Sequence, residues 1–253
     1  MPVWLRNVLA LFLILAFSAS FYYFFIRPYA YRWKPCGGQK EYGVCMPCCY
    51  DVHGIDVSHY QGRIDWEELF AQNQETDFPI EFIFMKATEG ATLGDDTFQK
   101  NFALAHKYGF IRGAYHFFSP KTDALKQADF FIKTVTLRKG DLPPVLDVEL
   151  TGRKSKSELQ KSLKIWLDRV EAHYKVKPIL YTSHKFKTKY LNDPSFDVYP
   201  YWIAHYYVDS VKYAGKWYFW QHTDVGSVKG IKEEVDLNVF NGTLEDLEAL
   251  TIK

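Results

Sequence analysis

From residue 51 onward the chain alternates short apolar runs with longer amphipathic stretches. Runs rich in Val, Ile, Phe and Tyr, too short for helices, occur at 54–58, 80–87, 111–118, 145–149, 178–182, 201–205, 217–221 and 234–238, and predict strands. Helical spacing of apolar residues is best at 66–73, 97–108, 123–137 and 156–174. Eight strands with helices between most of the early ones predict an α/β fold, a (β/α) TIM-like barrel. The second half is short of helices, so the expected barrel is irregular. In such a barrel chemistry gathers at the C-terminal ends of the strands.

The N-terminus follows another pattern. From Asn7 to Ile26 there is no charge, enough residues to cross a hydrocarbon core of about 30 Å as a helix. Ser18-Ala19-Ser20 would suit a cleaved signal peptide. The run Phe21-Tyr22-Tyr23-Phe24-Phe25-Ile26 instead continues the apolar stretch and supplies interfacial aromatics, which favours an uncleaved anchor. The expected organisation is therefore a membrane anchor or signal segment at 1–26, a connector at 27–50 and a catalytic domain at 51–253. Arg6 precedes the span while Arg27, Arg32 and Lys34 follow it, so the positive-inside count alone would place the domain in the cytoplasm.

All four cysteines, Cys36, Cys45, Cys48 and Cys49, fall in the connector. They could form two disulfides, in three connectivities, or bind one zinc ion. Adjacent Cys48 and Cys49 are awkward as ligands of one tetrahedral metal, so disulfides are the expectation for an exported segment. At 253 residues and 47% hydrophobic, the chain can bury a full core. Of its net charge of +1, the first 50 residues hold five basic residues and one acid, leaving 51–253 at a formal −3. That balance argues against a nucleic-acid partner.

The chemistry centres on Pro143-Pro144-Val145-Leu146-Asp147-Val148-Glu149-Leu150, where a strand carries two acids on one face. Like charges that close disfavour double ionisation and raise one pKa, as acid catalysis near neutral pH requires. Other polar residues gather at the predicted strand ends: Asp56 and His59, Lys86 and Glu89, Tyr115 and His116, Tyr181, Trp202 with His205, Gln221 with His222, and Asp236 with Asn238. Acids flanked by aromatics describe a sugar cleft.

Five motifs carry a resemblance: Gly54-Ile55-Asp56-Val57-Ser58-His59-Tyr60-Gln61-Gly62, Phe84-Met85-Lys86-Ala87-Thr88-Glu89-Gly90, Gly113-Ala114-Tyr115-His116-Phe117, Leu146-Asp147-Val148-Glu149 and Val235-Asp236-Leu237-Asn238-Val239-Phe240. In this order they resemble glycoside hydrolase family 25, the lysozymes or N-acetylmuramidases, over about residues 51–250. The resemblance implies hydrolysis of the β-1,4 bond between N-acetylmuramic acid and N-acetylglucosamine in peptidoglycan. No cofactor or metal is expected, and the expected partners are peptidoglycan and, through the N-terminal helix, a membrane, with the protein a monomer. It implies Glu149 as proton donor and Asp56, Asp147 and Asp236 as surrounding acids. Lys86, Tyr115, Tyr181, Trp202 and Gln221 are the candidate substrate-binding residues. A peptidoglycan substrate in turn implies a domain outside the cytoplasm, periplasmic or at the cell surface, or secreted if the N-terminal segment is cleaved.

Two other classes stay open at this point. A metal-dependent hydrolase is suggested by His59, His116, His205 and His222, although no H-E-x-x-H occurs. A non-catalytic glycan-binding barrel would carry the same aromatics. The absence of G-x-S-x-G disfavours a serine hydrolase, and Asn241-Gly242-Thr243 is a sequon only in a host that glycosylates such sites.

Overall fold

The structure, a computed structural model, describes residues 1–27 and 36–253. They fall into two compact units, Met1–Gln39 and Lys40–Lys253. Arg32 and Lys34, part of the charge count around the span, lie outside the described residues.

In the first unit, α1 (Val3–Phe21) widens into a π-helical turn at Tyr22–Ile26, and none of its side chains is buried within the protein. The 24 residues Val3–Ile26 are long and apolar enough to cross a membrane, a test that a signal sequence also passes. Cys36 and Cys45 are each disulfide-bonded, but Cys48 and Cys49 are free, exposed thiols. The expected pair of disulfides is therefore incomplete.

The second unit begins with a hairpin of β1 (Lys40–Glu41) and β2 (Val44–Cys45). Tyr42 at its turn donates its hydroxyl to the Phe78 carbonyl at 2.8 Å and is buried in the core, so this part of the connector packs with the barrel. Then come β3 (Val52–Val57), β4 (Ile80–Glu89), β5 (Leu93–Gly94), β6 (Ile111–Phe117), β7 (Val145–Asp147), β8 (Ile179–Ser183), β9 (Tyr201–Ala204), β10 (Phe219–Gly226) and β11 (Val235–Phe240). Strand β5 only folds back on the end of β4. The other eight close into a barrel, because β3 pairs with both β4 and β11. Seven run parallel. The eighth, β11, is antiparallel to β10 and β3.

Alternation along each strand separates an inner from an outer set of side chains. Val52, Phe82, Phe84, Val145, Ile179, Trp202, Phe219 and Phe240 pack together as the inner cluster. Their neighbours Ile55, Ile83, Met85, Ala114, Leu146, Leu180, Ile203 and Leu237 join the outer cluster, under the helices. The inner layer is crowded with rings: Phe84 stacks on Trp202 at 4.4 Å and meets Phe219 edge-on at 5.2 Å. Glycine makes room for them. A Cβ on Gly54 or Gly113 would stand 2.4 Å from the Phe82 or Phe84 ring.

Outside the barrel lie α2 (Trp66–Asn73), α3 (Phe98–Lys107), α4 (Ala124–Thr134), α5 (Lys156–Tyr174), α6 (His184–Tyr190) and α7 (Leu244–Leu250). Helix α5 shows why these segments are helical. Ser155 and Glu158 form a reciprocal capping box, and Leu159, Leu163, Trp166, Leu167 and Val170 make one buried stripe. The chain then leaves the helix through Lys175 in the left-handed region, φ 60°. α2 and α5 span the residues their spacing predicts. α6 and α7 were not expected from the sequence, since seven residues are too few to display a 3.6-residue period.

Candidate active site

The candidate residues converge because the same alternation turns them inward at one end of the barrel. On β3 the inner set reads Val52, Gly54, Asp56; on β7 it reads Val145, Asp147; on β8, Ile179, Tyr181. The aromatic layer lies beneath, and the acids stand above it at the carboxyl ends. Asp236 reaches this end differently from the sequence expectation. It is the second residue of the antiparallel strand β11, and it pairs in register with Asp56 near the end of β3. A strand start, not a strand end, supplies this acid.

Asp56 is the most tightly held of the acids. It is buried, and its Oδ2 accepts from Gln221 Nε2 at 2.7 Å and Asn238 Nδ2 at 2.8 Å. Gln221 Oε1 in turn accepts from the hydroxyls of Tyr181 and Tyr206, both at 2.6 Å. Asn238 Oδ1 accepts from Trp202 Nε1 at 2.7 Å. Burial raises the Asp56 carboxyl, and the bonds from Asn238, Gln221 and Asp236 limit the rise to about 6. Asp236 is pushed up to about 9 by burial and by the charge of Asp56. The two acids therefore hold one proton between them at neutral pH, on Asp236, which donates it toward Asp56.

Asp147 and Glu149 divide by environment. Asp147 is 7% exposed, its Oδ1 has no hydrogen-bond partner among the described residues, and burial together with the charges of Glu149 and Asp56 raises its pKa well above that of an ordinary aspartate. Glu149 lies just past the end of β7, two residues beyond the last strand residue, and is exposed. Desolvation by the surrounding cleft still raises its carboxyl, against the opposing influence of the nearby Tyr181 hydroxyl and the field of Lys86. Position separates them: Asp147 is buried below, and Glu149 stands at the mouth.

The other candidates frame this pair. The Tyr115 hydroxyl is held far above its usual pKa by burial and by Asp56, Asp147 and Asp236. Lys86 Nζ pairs with Glu89 Oε2 at 2.6 Å and lies 5.1 Å from the Phe117 ring centre. Trp202 is 2% exposed, with Tyr181 edge-on at 4.5 Å, so it stands beneath the cleft and not on its wall. The histidines do not converge. His116 lies in the outer layer between Thr88 and Gln127, and His222 sits against Trp220. Among the described residues no group of three or more His, Cys, Asp or Glu is arranged to hold a metal ion.

The model of the family described as glycosyl hydrolases family 25 matches residues 55–231. The chain belongs to glycosyl hydrolases family 25. It is a glycoside hydrolase. Its relatives include the uncharacterized protein YegX of Escherichia coli (strain K12), 44% identical over 87% of this chain and 79% of that protein. Lysozyme M1 of Streptomyces globisporus is 34% identical over 79% of this chain and 71% of its own. Among solved structures, a family 25 glycosyl hydrolase from Bacillus anthracis superposes with a TM-score of 0.72 at 36% identity, covering 80% of this chain and 94% of that one.

In this family 25 chain, two residues of the site had no distinctive signal in the sequence. Tyr206 follows a strand end without a motif, and its role appears only through its bond to Gln221. Asp95, in the turn after β5, accepts from the backbone N–H of His59 at 2.8 Å and from Thr97, tying the loop after β3 to the start of α3. Burial alone would raise its pKa, but the bonds from Thr97 and His59 win and lower it.

Proposed function

We propose that this glycoside hydrolase is a lysozyme-type muramidase that cleaves the β-1,4 bond between N-acetylmuramic acid and N-acetylglucosamine in peptidoglycan. Glu149 is its general acid. The observation that carries the assignment is the pairing of an exposed, desolvated Glu149 with a second network that keeps Asp56 ionised beneath it. The relatives named Lysozyme M1 and N,O-diacetylmuramidase support the substrate class.

Glu149 delivers its proton to the leaving oxygen as the glycosidic bond breaks. Positive charge develops at the anomeric carbon as that bond breaks, and Asp56, ionised above about pH 6, faces it with negative charge at low local dielectric. One water is consumed over the reaction, its oxygen ending on the anomeric carbon and one of its protons replacing the one given up by Glu149. Asp236 keeps a proton and orients Asp56 through its hydrogen bond. Trp202 and Asn238 act as positioning residues, since their bond points the Asn238 amide at Asp56. Tyr115, Tyr181, Gln221 and Lys86 line or support the sugar subsites. A peptidoglycan substrate places the domain outside the cytoplasm, anchored through Val3–Ile26, and the enzyme works as a monomer.

The test is Glu149→Gln in the full chain in detergent, assayed by release of reducing ends from purified peptidoglycan. Turnover should fall by at least about 10²-fold, the usual contribution of a general acid, with the melting temperature preserved. A variant that keeps near wild-type turnover refutes the assignment.

A further inference from the structure

We propose that Arg153, Lys154, Lys156, Lys161, Lys185 and Lys189 form a basic ridge beside the cleft. It receives the carboxylates of the peptide stems borne by the glycan strand being cut. This rests on the muramidase reading and deepens it, making the preferred substrate a glycan with charged stems.

Sequence and topology bring these cations together. Arg153 follows Glu149 by four residues, on the loop from β7 to α5. Helix α6 starts at His184, directly where β8 ends and three residues after Tyr181, whose hydroxyl bonds Gln221 in the site. The two helices are fastened to each other: Gln160 Nε2 donates to the Tyr190 carbonyl at 2.8 Å, and Lys156 Nζ reaches Asn192. Lys156, Lys185 and Lys189 are exposed.

The ridge keeps an excess of positive charge, with Glu158 near Lys154 and Lys161 and Asp193 near Lys156 as its neighbouring acids. None of the six cations takes part in an ion pair among the described residues. Glu158 is the one acid between residues 151 and 164, and none lies between 184 and 190. Glu158 is already committed to the Ser155 cap, with Oε2 accepting from Ser155 N at 2.9 Å and Oγ at 2.6 Å. Cations at the first turn of α5 also oppose the helix dipole, so helix stability does not account for them. This concentration stands on a domain whose overall balance is −3 once the first 50 residues are set aside.

Charge complementarity identifies the occupant. A cleft floored by ionised Asp56 and entered past Glu149 repels an anionic polymer, and peptide stems carry free carboxylates. A basic border offsets that repulsion and raises the local concentration of substrate. A stem on the bound strand shares its border with the cleft by construction, which favours it over a lipid surface.

The experiment compares the full chain in detergent with the triple variant Lys156→Gln, Lys185→Gln, Lys189→Gln. Turnover of peptidoglycan and cosedimentation with it are both measured at low and high salt. At low salt the triple variant should show a KM raised about tenfold, the combined loss of three exposed charge contacts, with kcat within about twofold. The difference should vanish at high salt, and on peptidoglycan whose stem carboxylates have been amidated. Equal KM and equal cosedimentation at low salt would overturn the proposal. So would an unchanged KM with a reduced preference for phosphatidylglycerol over phosphatidylcholine vesicles, which would assign the ridge to a bilayer. No reducing ends from either protein, with cosedimentation still weakened in the variant, would instead sink the muramidase reading while supporting an anion-binding ridge.

Discussion

Replacing Asp236 by asparagine should make the enzyme more stable at neutral pH, by an amount that grows with pH. In the folded protein Asp236 titrates at about 9, against 3.8 for an ordinary aspartate, because it is buried against the charge of Asp56. The sign follows from linkage: a carboxyl whose pKa is raised by folding binds a proton more tightly in the folded state, so rising pH favours unfolding. The penalty is absent below the unfolded value, grows through the acid and neutral range, and levels off above about 9. At roughly 1.4 kcal/mol per pH unit it reaches about 4 kcal/mol at pH 7 and stays under about 2 kcal/mol at pH 5. Asparagine is neutral in both states, and its amide can still donate to Asp56. Thermal melts of the full chain in detergent should therefore place Asp236→Asn about 8 to 16 °C above wild type at pH 7. The two should converge as the pH approaches 4. Parallel pH profiles for the two proteins, or a variant that melts lower at pH 7, would show that Asp236 does not hold the shared proton.

Three other outcomes test the frame. Arg112 and Asp141 form a buried pair, with Nε to Oδ1 at 2.6 Å, so Asp141→Ala should cost about 3 to 5 kcal/mol in urea unfolding by stranding the guanidinium. Gly113→Ala drives a methyl onto the Phe84 ring, 2.4 Å away, and should cost about 1 to 3 kcal/mol; Phe84→Leu in the same chain should recover part of that loss, and strict additivity would contradict the clash. Alkylation of the native protein should modify Cys48 and Cys49 alone, and Cys36 and Cys45 only after reduction. Mass spectrometry of the labelled peptides decides it.

Much of the barrel was legible because its signals are local. A buried strand of a closed sheet is a short apolar run, and Trp66–Asn73 and Lys156–Tyr174 announce themselves by caps and spacing. The acids were legible too, since Asp56, Asp147, Glu149 and Asp236 interrupt apolar runs where a charge is costly. What escaped depends on partners distant in the chain. The direction of β11 is chosen by its pairing with β3 and β10, and nothing within Val235–Phe240 encodes it. Tyr206 and Asp95 acquire their roles from bonds to Gln221, His59 and Thr97, formed only once the loops are in place.

The sequence by itself determined the elements, the inward alternation of the acids and the apolar N-terminal span, because each follows from spacing of side chains along a regular backbone. The tertiary structure alone decided which acid keeps a proton. Aspartates 180 positions apart, Asp56 and Asp236, meet in register across two antiparallel strands. Asp147 is buried below while Glu149, two residues on, meets solvent at the mouth. Ionisation depends on burial and on neighbouring charge, and both are properties of the closed barrel.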